Sequence, residues 1–267
     1  MAENDDEHEG GRDDKIRAVI GAGSDIAGTA VGGALGFLAA GPVGAALGGA
    51  GGTLAAHALR GLGEEVAERV LGSREKVRVG GALAIAASKI QGRLNHGESL
   101  RQDGFFQPTR NGRSDADEVA ESVLLKCQRE AEEQKIPYMA FLIANLAFEP
   151  EISTGLAHQI VKTAEQLTYR QLCILKIAAL NSQYGLRQSD YRGHGNFEKA
   201  LYELLYECID LYSRSLISFN GEAAFGPTDV KPGSMTTQGI GQDLFNQMGL
   251  ATIPQTDLDP IIVELSK

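Results

Sequence analysis

The sequence contains no tryptophan, and its three cysteines are far apart and odd in number. Cys127, Cys173 and Cys208 each lie inside a helical pattern, which is typical of a reducing compartment, where cysteine serves as a small apolar residue. We therefore expect three free structural thiols, rather than a disulfide framework or a reactive nucleophile.

The five histidines are also scattered, and none has the spacing that a zinc site requires. A Gly-x-Gly run at 21–23 follows a short apolar stretch, as it does in short-chain dehydrogenases. The acidic ribose ligand expected about 20 residues later is missing, however, and the chain has no Tyr-x-x-x-Lys pair. We expect no metal, no cofactor and no catalytic site, which makes a nicotinamide-dependent enzyme the weaker alternative.

Charge is absent from residues 26–56, a run of 31 positions that we call the glycine segment. Ten of these residues are glycine and ten are alanine, and only eight are large and apolar. Glycine recurs at every fourth position in two series, formed by Gly28, Gly32, Gly36, Gly44, Gly48 and Gly52. Residues four apart share one helix face, so each series predicts a groove in which two backbones pack closely, as helices do in lipid.

Gly41 and Pro42 divide the glycine segment into two arms. An arm of about 15 residues is about 22 Å long as a helix, which is short of the ~30 Å hydrocarbon core of a bilayer. Basic residues flank both ends of the segment, and such residues prefer the cytoplasmic side. We expect a helical hairpin, re-entrant or thinly spanning, with both ends inside. A soluble hairpin buried against protein is the alternative.

A basic stretch follows the glycine segment directly. Residues 60–113 contain ten basic and six acidic side chains, a net charge of +4 in a chain whose net charge is −10. We expect this stretch to meet anionic lipid, or an anionic ligand such as a nucleotide or a single-stranded oligonucleotide. The residues that we expect to hold the ligand are Arg93, Arg101, Arg110 and Arg113. A solvated basic face is the alternative.

Composition divides the chain into four parts. Residues 1–14 are acidic and lack apolar anchors, which predicts a disordered tail and does not fit a secretory signal. Residues 15–94 hold the hairpin and the basic helices. Residues 95–113 are rich in Gly, Asn and Gln and are expected to be a linker. Residues 114–267 are expected to form a helical domain that assembles the oligomer and senses a signal.

Helical periodicity dominates this last part. Ser114, followed by acidic residues, predicts a capped helix start. Pro137 begins an apolar helix of twelve residues, which is too short to span a bilayer and is expected to be the buried centre of a bundle. Further helices are predicted over 151–167, 168–181 and 196–217.

The helix over 196–217 contains Tyr202, Tyr206 and Tyr212, which we expect in the core rather than on a base-stacking surface. A Gly/Pro-rich connection and a helix at 235–250 follow it. A helix, a short exposed connection and a final helix resemble a winged-helix ending. The sequence therefore predicts an all-α chain, with an N-terminal glycine-zipper hairpin and a C-terminal helical bundle that ends in this way.

The glycine segment, the stretch LTYRQLCILKIAAL at 167–180 and the ending at Met235–Leu250 look like those of membrane effectors in bacterial anti-phage (abortive-infection) systems. The layout is similar to that of the Hailong channel subunit. This resemblance implies a homo-oligomeric, pore-forming channel in the bacterial inner membrane, with its soluble domain in the cytoplasm. It also implies gating by a nucleotide or nucleic-acid signal. A soluble helical adaptor, whose glycine hairpin packs against a partner protein, is the alternative.

Overall fold

A computed structural model describes residues 72–110, 112–193, 195 and 197–267. The glycine segment, with its six zipper glycines and Pro42, lies outside these residues, as does the acidic tail. The described chain is mainly helical, as expected, and it divides into two compact units between Gln166 and Leu167.

The described part of the first unit contains four α-helices. They are α1 (Ser73–Asn95), α2 (Asp115–Arg129), α3 (Ile136–Leu146) and α4 (Thr154–Gln166). Helix α3 is buried along almost its whole length and begins with Pro137 in its first turn, as the sequence predicted. Helix α1 packs along α3. Its small residues Ala82 and Ala86 are fully buried.

The N-terminus of α2 confirms the predicted cap. The backbone N–H of Asp117 donates to Ser114 Oγ at 3.2 Å, and the backbone N–H of Ser114 donates to Asp117 Oδ2 at 2.8 Å. This reciprocal pair satisfies two amides that a helix start leaves without partners.

Residues 95–113, expected to be a linker, pack into the first unit. Leu100, Phe105 and Phe106 are buried, and the Arg101 N–H donates to the Ala147 carbonyl at 3.0 Å. The division between the compact units lies instead between α4 and the next helix. Polar composition marked this segment as irregular, but three apolar anchors fix it to the core.

The second unit contains four helices and a two-stranded antiparallel sheet. In chain order these are α5 (Tyr169–Ala179), α6 (Lys199–Ser213), β1 (Ile217–Phe219), β2 (Met235–Thr237), α7 (Ile240–Gln247) and α8 (Gln255–Leu265). Ile217 pairs with Thr237, and Phe219 pairs with Met235. Helix α5 is buried from 171 to 178. Within it, Lys176 Nζ donates to the carbonyls of Ala251 and Ile253 at 2.8 and 2.7 Å.

Helix α6 is shorter than the predicted 196–217, because the chain turns into β1 at Ile217. Leu201, Leu204 and Cys208 are buried on its inner face, as expected.

The prediction that the tyrosines of α6 lie in the core was wrong for two of the three. Tyr202 and Tyr206 are exposed, whereas Tyr212 is half-buried with its ring centroid 5.2 Å from that of Phe219.

The three cysteines are free and buried, as predicted. Burial raises the pKa of each thiol to about 12. At neutral pH these side chains therefore remain protonated and pack as small apolar residues.

Within the described ranges, no helix combines the length and apolar character that crossing a bilayer requires.

Candidate functional site

Arg93 lies in the last turn of α1 and reaches the C-terminal end of α3. Its Nε donates to Glu98 Oε2 at 2.8 Å, and its Nη1 donates to Asn145 Oδ1 at 3.2 Å. The guanidinium carbon lies 4.1 Å from the centroid of the Phe148 ring, in cation–π contact. Arg93 thus links α1 to the end of α3.

Arg101 reaches the same end of α3 from the following segment. Its side chain is only 2% exposed and forms an ion pair with Asp103. Its Nη1 donates to the Leu146 carbonyl at 3.3 Å, and its guanidinium carbon lies 4.3 Å from the centroid of the Phe105 ring. A cation at a helix C-terminus satisfies a terminal carbonyl and is stabilised by the helix dipole.

The other two predicted arginines lie near the start of α2. Arg113 Nη2 is 2.7 Å from Glu121 Oε2, and its side chain is 44% exposed. Arg110 is exposed. The structure therefore places Arg93 and Arg101 together at one helix end, and Arg110 and Arg113 beside another helix.

Arg101 also lines a cleft of about 300 Å³ in the first unit. The lining residues are Arg101, Asp103, Phe105, Asp115, Pro150, Glu151, Ser153 and Thr154. One guanidinium, already paired, faces three carboxylates, and the Thr154 hydroxyl donates to Asp115. An anion bound here would be repelled by these carboxylates, so the cleft suits cationic or neutral hydrogen-bonding groups.

Sequence reasoning identified Arg101 but missed the rest of the cleft. Asp115 was interpreted as part of a helix start, and Glu151 as the beginning of the following helix. The cleft is assembled from three segments that are separated along the chain. No local spacing indicates that they meet.

Asp103 provides a pH-dependent test of this arrangement. The hydrogen bond from Arg101 holds the pKa of the Asp103 carboxyl below its usual range. A carboxyl whose pKa is lowered by folding stabilises the folded state above its unfolded pKa of about 4, and this contribution is lost as the pH falls through the folded pKa. We expect Asp103→Asn to lower the urea concentration at the midpoint of unfolding near neutral pH. At a pH below the folded pKa of Asp103, the same substitution should change this midpoint little.

The matched control is Glu151→Gln, which neutralises an exposed carboxylate that lines the same cleft. It should leave the midpoint nearly unchanged at both pH values. An equal loss of stability for Asp103→Asn at neutral and acidic pH would contradict the ion-pair account.

Among the residues that the structure covers, no group of three or more His, Cys, Asp or Glu side chains could hold a metal ion. Comparisons of the chain with protein-family models, curated proteins and solved structures find no match.

Proposed function

We propose that this chain is a non-enzymatic, homo-oligomeric membrane effector, in which the glycine segment forms or disrupts a path through the bilayer. The observation that carries the proposal is the pair of three-glycine series within 31 uncharged residues. Such series allow close helix packing in lipid, where the hydrophobic effect between helices is absent. The similarity in layout to anti-phage effectors supports a defence role at the bacterial inner membrane, with the helical units in the cytoplasm.

Oligomerisation follows from the energetics of the glycine segment. Its eight large apolar residues contribute only about −0.3 to −0.6 kcal/mol each toward insertion, and glycine opposes it. A single copy would insert only marginally. Several copies that pack groove to groove add contacts that only the inserted state provides, so insertion and assembly are coupled.

Helix α1 follows the glycine segment along the chain and belongs to the first unit. It begins at Ser73, and its first turns are fixed by ion pairs. Arg74 Nη2 lies 2.7 Å from Glu133 Oε2, and Arg78 Nη1 lies 3.9 Å from Glu133 Oε1. Because α1 packs along α3, we propose that a shift of the core is passed along the chain toward the glycine segment. This linkage supports gating by a signal sensed in the helical units.

We propose that the second unit has a winged-helix-like ending, with β1 and β2 as the wing that precedes α7. Residues 167–267 carry eight basic and eleven acidic side chains, a net charge of −3. A negative unit is poorly suited to a phosphate backbone, since binding to nucleic acid depends on neutralising phosphates with cations. This balance favours a protein partner for the second unit.

A nucleotide or a single-stranded oligonucleotide remains our proposal for the regulator. The four predicted arginines differ in how readily an anion could reach them. Arg93 and Arg101 already contact Glu98 and Asp103, so an anion would have to displace those carboxylates. Arg113 is also paired, with Glu121, but it is exposed, as is Arg110, so an anion would meet these two side chains first.

One observation favours the alternative of a soluble adaptor. Seven of the 23 residues of helix α1 are glycine or alanine, and this helix packs against α3 inside the first unit. The glycine segment could pack against a partner protein in the same way.

Extraction from bacterial membranes distinguishes a membrane effector from a soluble adaptor. We expect the full chain to stay with bacterial membranes through an alkaline carbonate wash, which strips peripheral proteins, and to be released by detergent. A soluble adaptor would remain in the supernatant before any wash. Release by carbonate alone would place the chain on the membrane surface and contradict insertion.

A further inference from the structure

Helix α6 carries an apolar stripe on its outer face. Tyr202 is 49% exposed, and Tyr206, one turn later, is 61% exposed. Half-buried Ile209 extends the line, and the polar residues Lys199 and Ser213 end it. The spacings of three and four residues place all five positions on one helix face, which we call the α6 stripe.

The tyrosines of the α6 stripe are unusual for this chain. Among the described residues, the large apolar side chains with high exposure are Tyr202, Tyr206, Phe225 and Val263. Only the two tyrosines follow one another along a single helix face. Tyrosine is enriched at protein interfaces because its ring buries a large area while its hydroxyl keeps a hydrogen-bond partner.

Charges at the two ends of the α6 stripe complement each other. Lys199, whose side chain is 90% exposed, stands at the N-terminal end, with its Nζ 3.7 Å from Glu203 Oε1. Asp210 flanks the stripe near its C-terminal end and pairs with Arg214 at 2.9 Å. A cation at one end and a carboxylate near the other complement a second copy running in the opposite direction.

We propose that the α6 stripe pairs with the α6 stripe of a second copy of this chain, with the two helices antiparallel about a twofold axis. In this arrangement Tyr202 of one copy lies opposite Tyr206 of the other, and Lys199 approaches Asp210 of the other. Such a contact is self-complementary, which is what a twofold interface requires.

This inference deepens the homo-oligomer part of the proposed function and specifies its contact surface. Pairing through α6 does not depend on insertion of the glycine segment. Cross-linking reports the pairing and carbonate extraction reports the insertion, so either can fail without the other.

Disulfide cross-linking of the full chain in detergent tests the pairing. The three native cysteines are buried with their pKa values raised to about 12, so thiols introduced on the α6 stripe would dominate the reaction. We would prepare Tyr202→Cys and Tyr206→Cys separately, with tags of different size. Each would be oxidised alone and as an equal mixture.

In the antiparallel arrangement Tyr202→Cys faces Tyr206→Cys of the other copy. We expect the mixture to form the mixed covalent dimer several-fold faster than either variant cross-links to itself, because a disulfide needs Cα atoms less than about 7 Å apart. Faster cross-linking of each variant with itself would overturn the antiparallel pairing. No covalent dimer above the collision background would overturn the interface.

The matched control is Phe225→Cys, which places a thiol at an even more exposed aromatic position between β1 and β2. Mixed with Tyr202→Cys, it should give only the collision background. Tyr202→Ala combined with Tyr206→Ala adds a second measurement: light scattering should report a smaller assembly with unchanged helical circular dichroism. An assembly of unchanged mass would contradict the proposal.

Discussion

Replacing Gly32 and Gly48 together with leucine is expected to abolish membrane permeabilisation while preserving membrane binding. Each substitution places a branched side chain in the middle of one three-glycine series and fills the groove that close backbone packing requires. Both substitutions also increase hydrophobicity, so partitioning into the bilayer should improve. Dye release from liposomes, measured beside liposome co-sedimentation, separates the two effects.

The matched control is Ala30→Leu with Ala46→Leu. These substitutions raise hydrophobicity by a similar amount. In the proposed hairpin they would lie on nearly the opposite helix face, because each is two residues from a zipper glycine. The control should bind and permeabilise membranes as the unaltered chain does. If the Gly32 and Gly48 variant permeabilises equally well, the glycine segment is only an anchor and the packing mechanism is wrong.

Replacing Gly241 with alanine is expected to destabilise the second unit by about 3 kcal/mol or more, the upper end for overpacking a core. Gly241 lies in the first turn of α7, where a Cβ would sit 1.9 Å from the Leu216 backbone oxygen. That oxygen also accepts a hydrogen bond from the backbone N–H of Gln238 at 3.0 Å, so it is held in place. Because the obstacle is backbone, relief requires α7 to move away from the segment before β1.

Gly185→Ala is the matched control, since a Cβ there would meet no heavy atom within 4 Å. Chemical unfolding followed by circular dichroism should show a normal midpoint for Gly185→Ala and a large loss for Gly241→Ala. A normal midpoint for Gly241→Ala would mean that α7 does not pack this closely.

The parts of the fold that could be predicted are those in which local chemistry is decisive. Ser114 and Asp117 cap α2 through contacts three residues apart, and Pro137 begins α3 because its fixed backbone suits a first turn. Burial of α3 follows from its own apolar composition, since a helix that is apolar on all sides must be covered.

The tyrosines of α6 show where local pattern fails. Tyr202 and Leu201 are adjacent in sequence, and periodicity places them on different faces of the helix. An aromatic ring is compatible with the core and with an interface, so residue type alone does not decide which face packs inward. Which face of α6 is buried depends on α5 and α8, because these helices pack against it.

The positions of the four predicted arginines could not be predicted for a related reason. Net charge along residues 60–113 predicts a basic surface, but a net charge does not show which carboxylates pair with Arg101 and Arg113. Asp103 is two residues from Arg101, whereas Glu121 reaches Arg113 only because α2 carries it there. Three of the four predicted arginines therefore form ion pairs, and Arg110 and Arg113 are exposed.

The most direct test of the central claim is ion leakage from liposomes that contain the purified full chain. The proposal predicts leakage that rises more steeply than linearly with the number of copies per vesicle, because one copy inserts marginally and several pack together through their glycine grooves. Leakage in direct proportion to copy number would contradict the oligomeric path. A chain that stays in the membrane through carbonate washing and causes no leakage above empty vesicles would contradict the membrane-effector account itself.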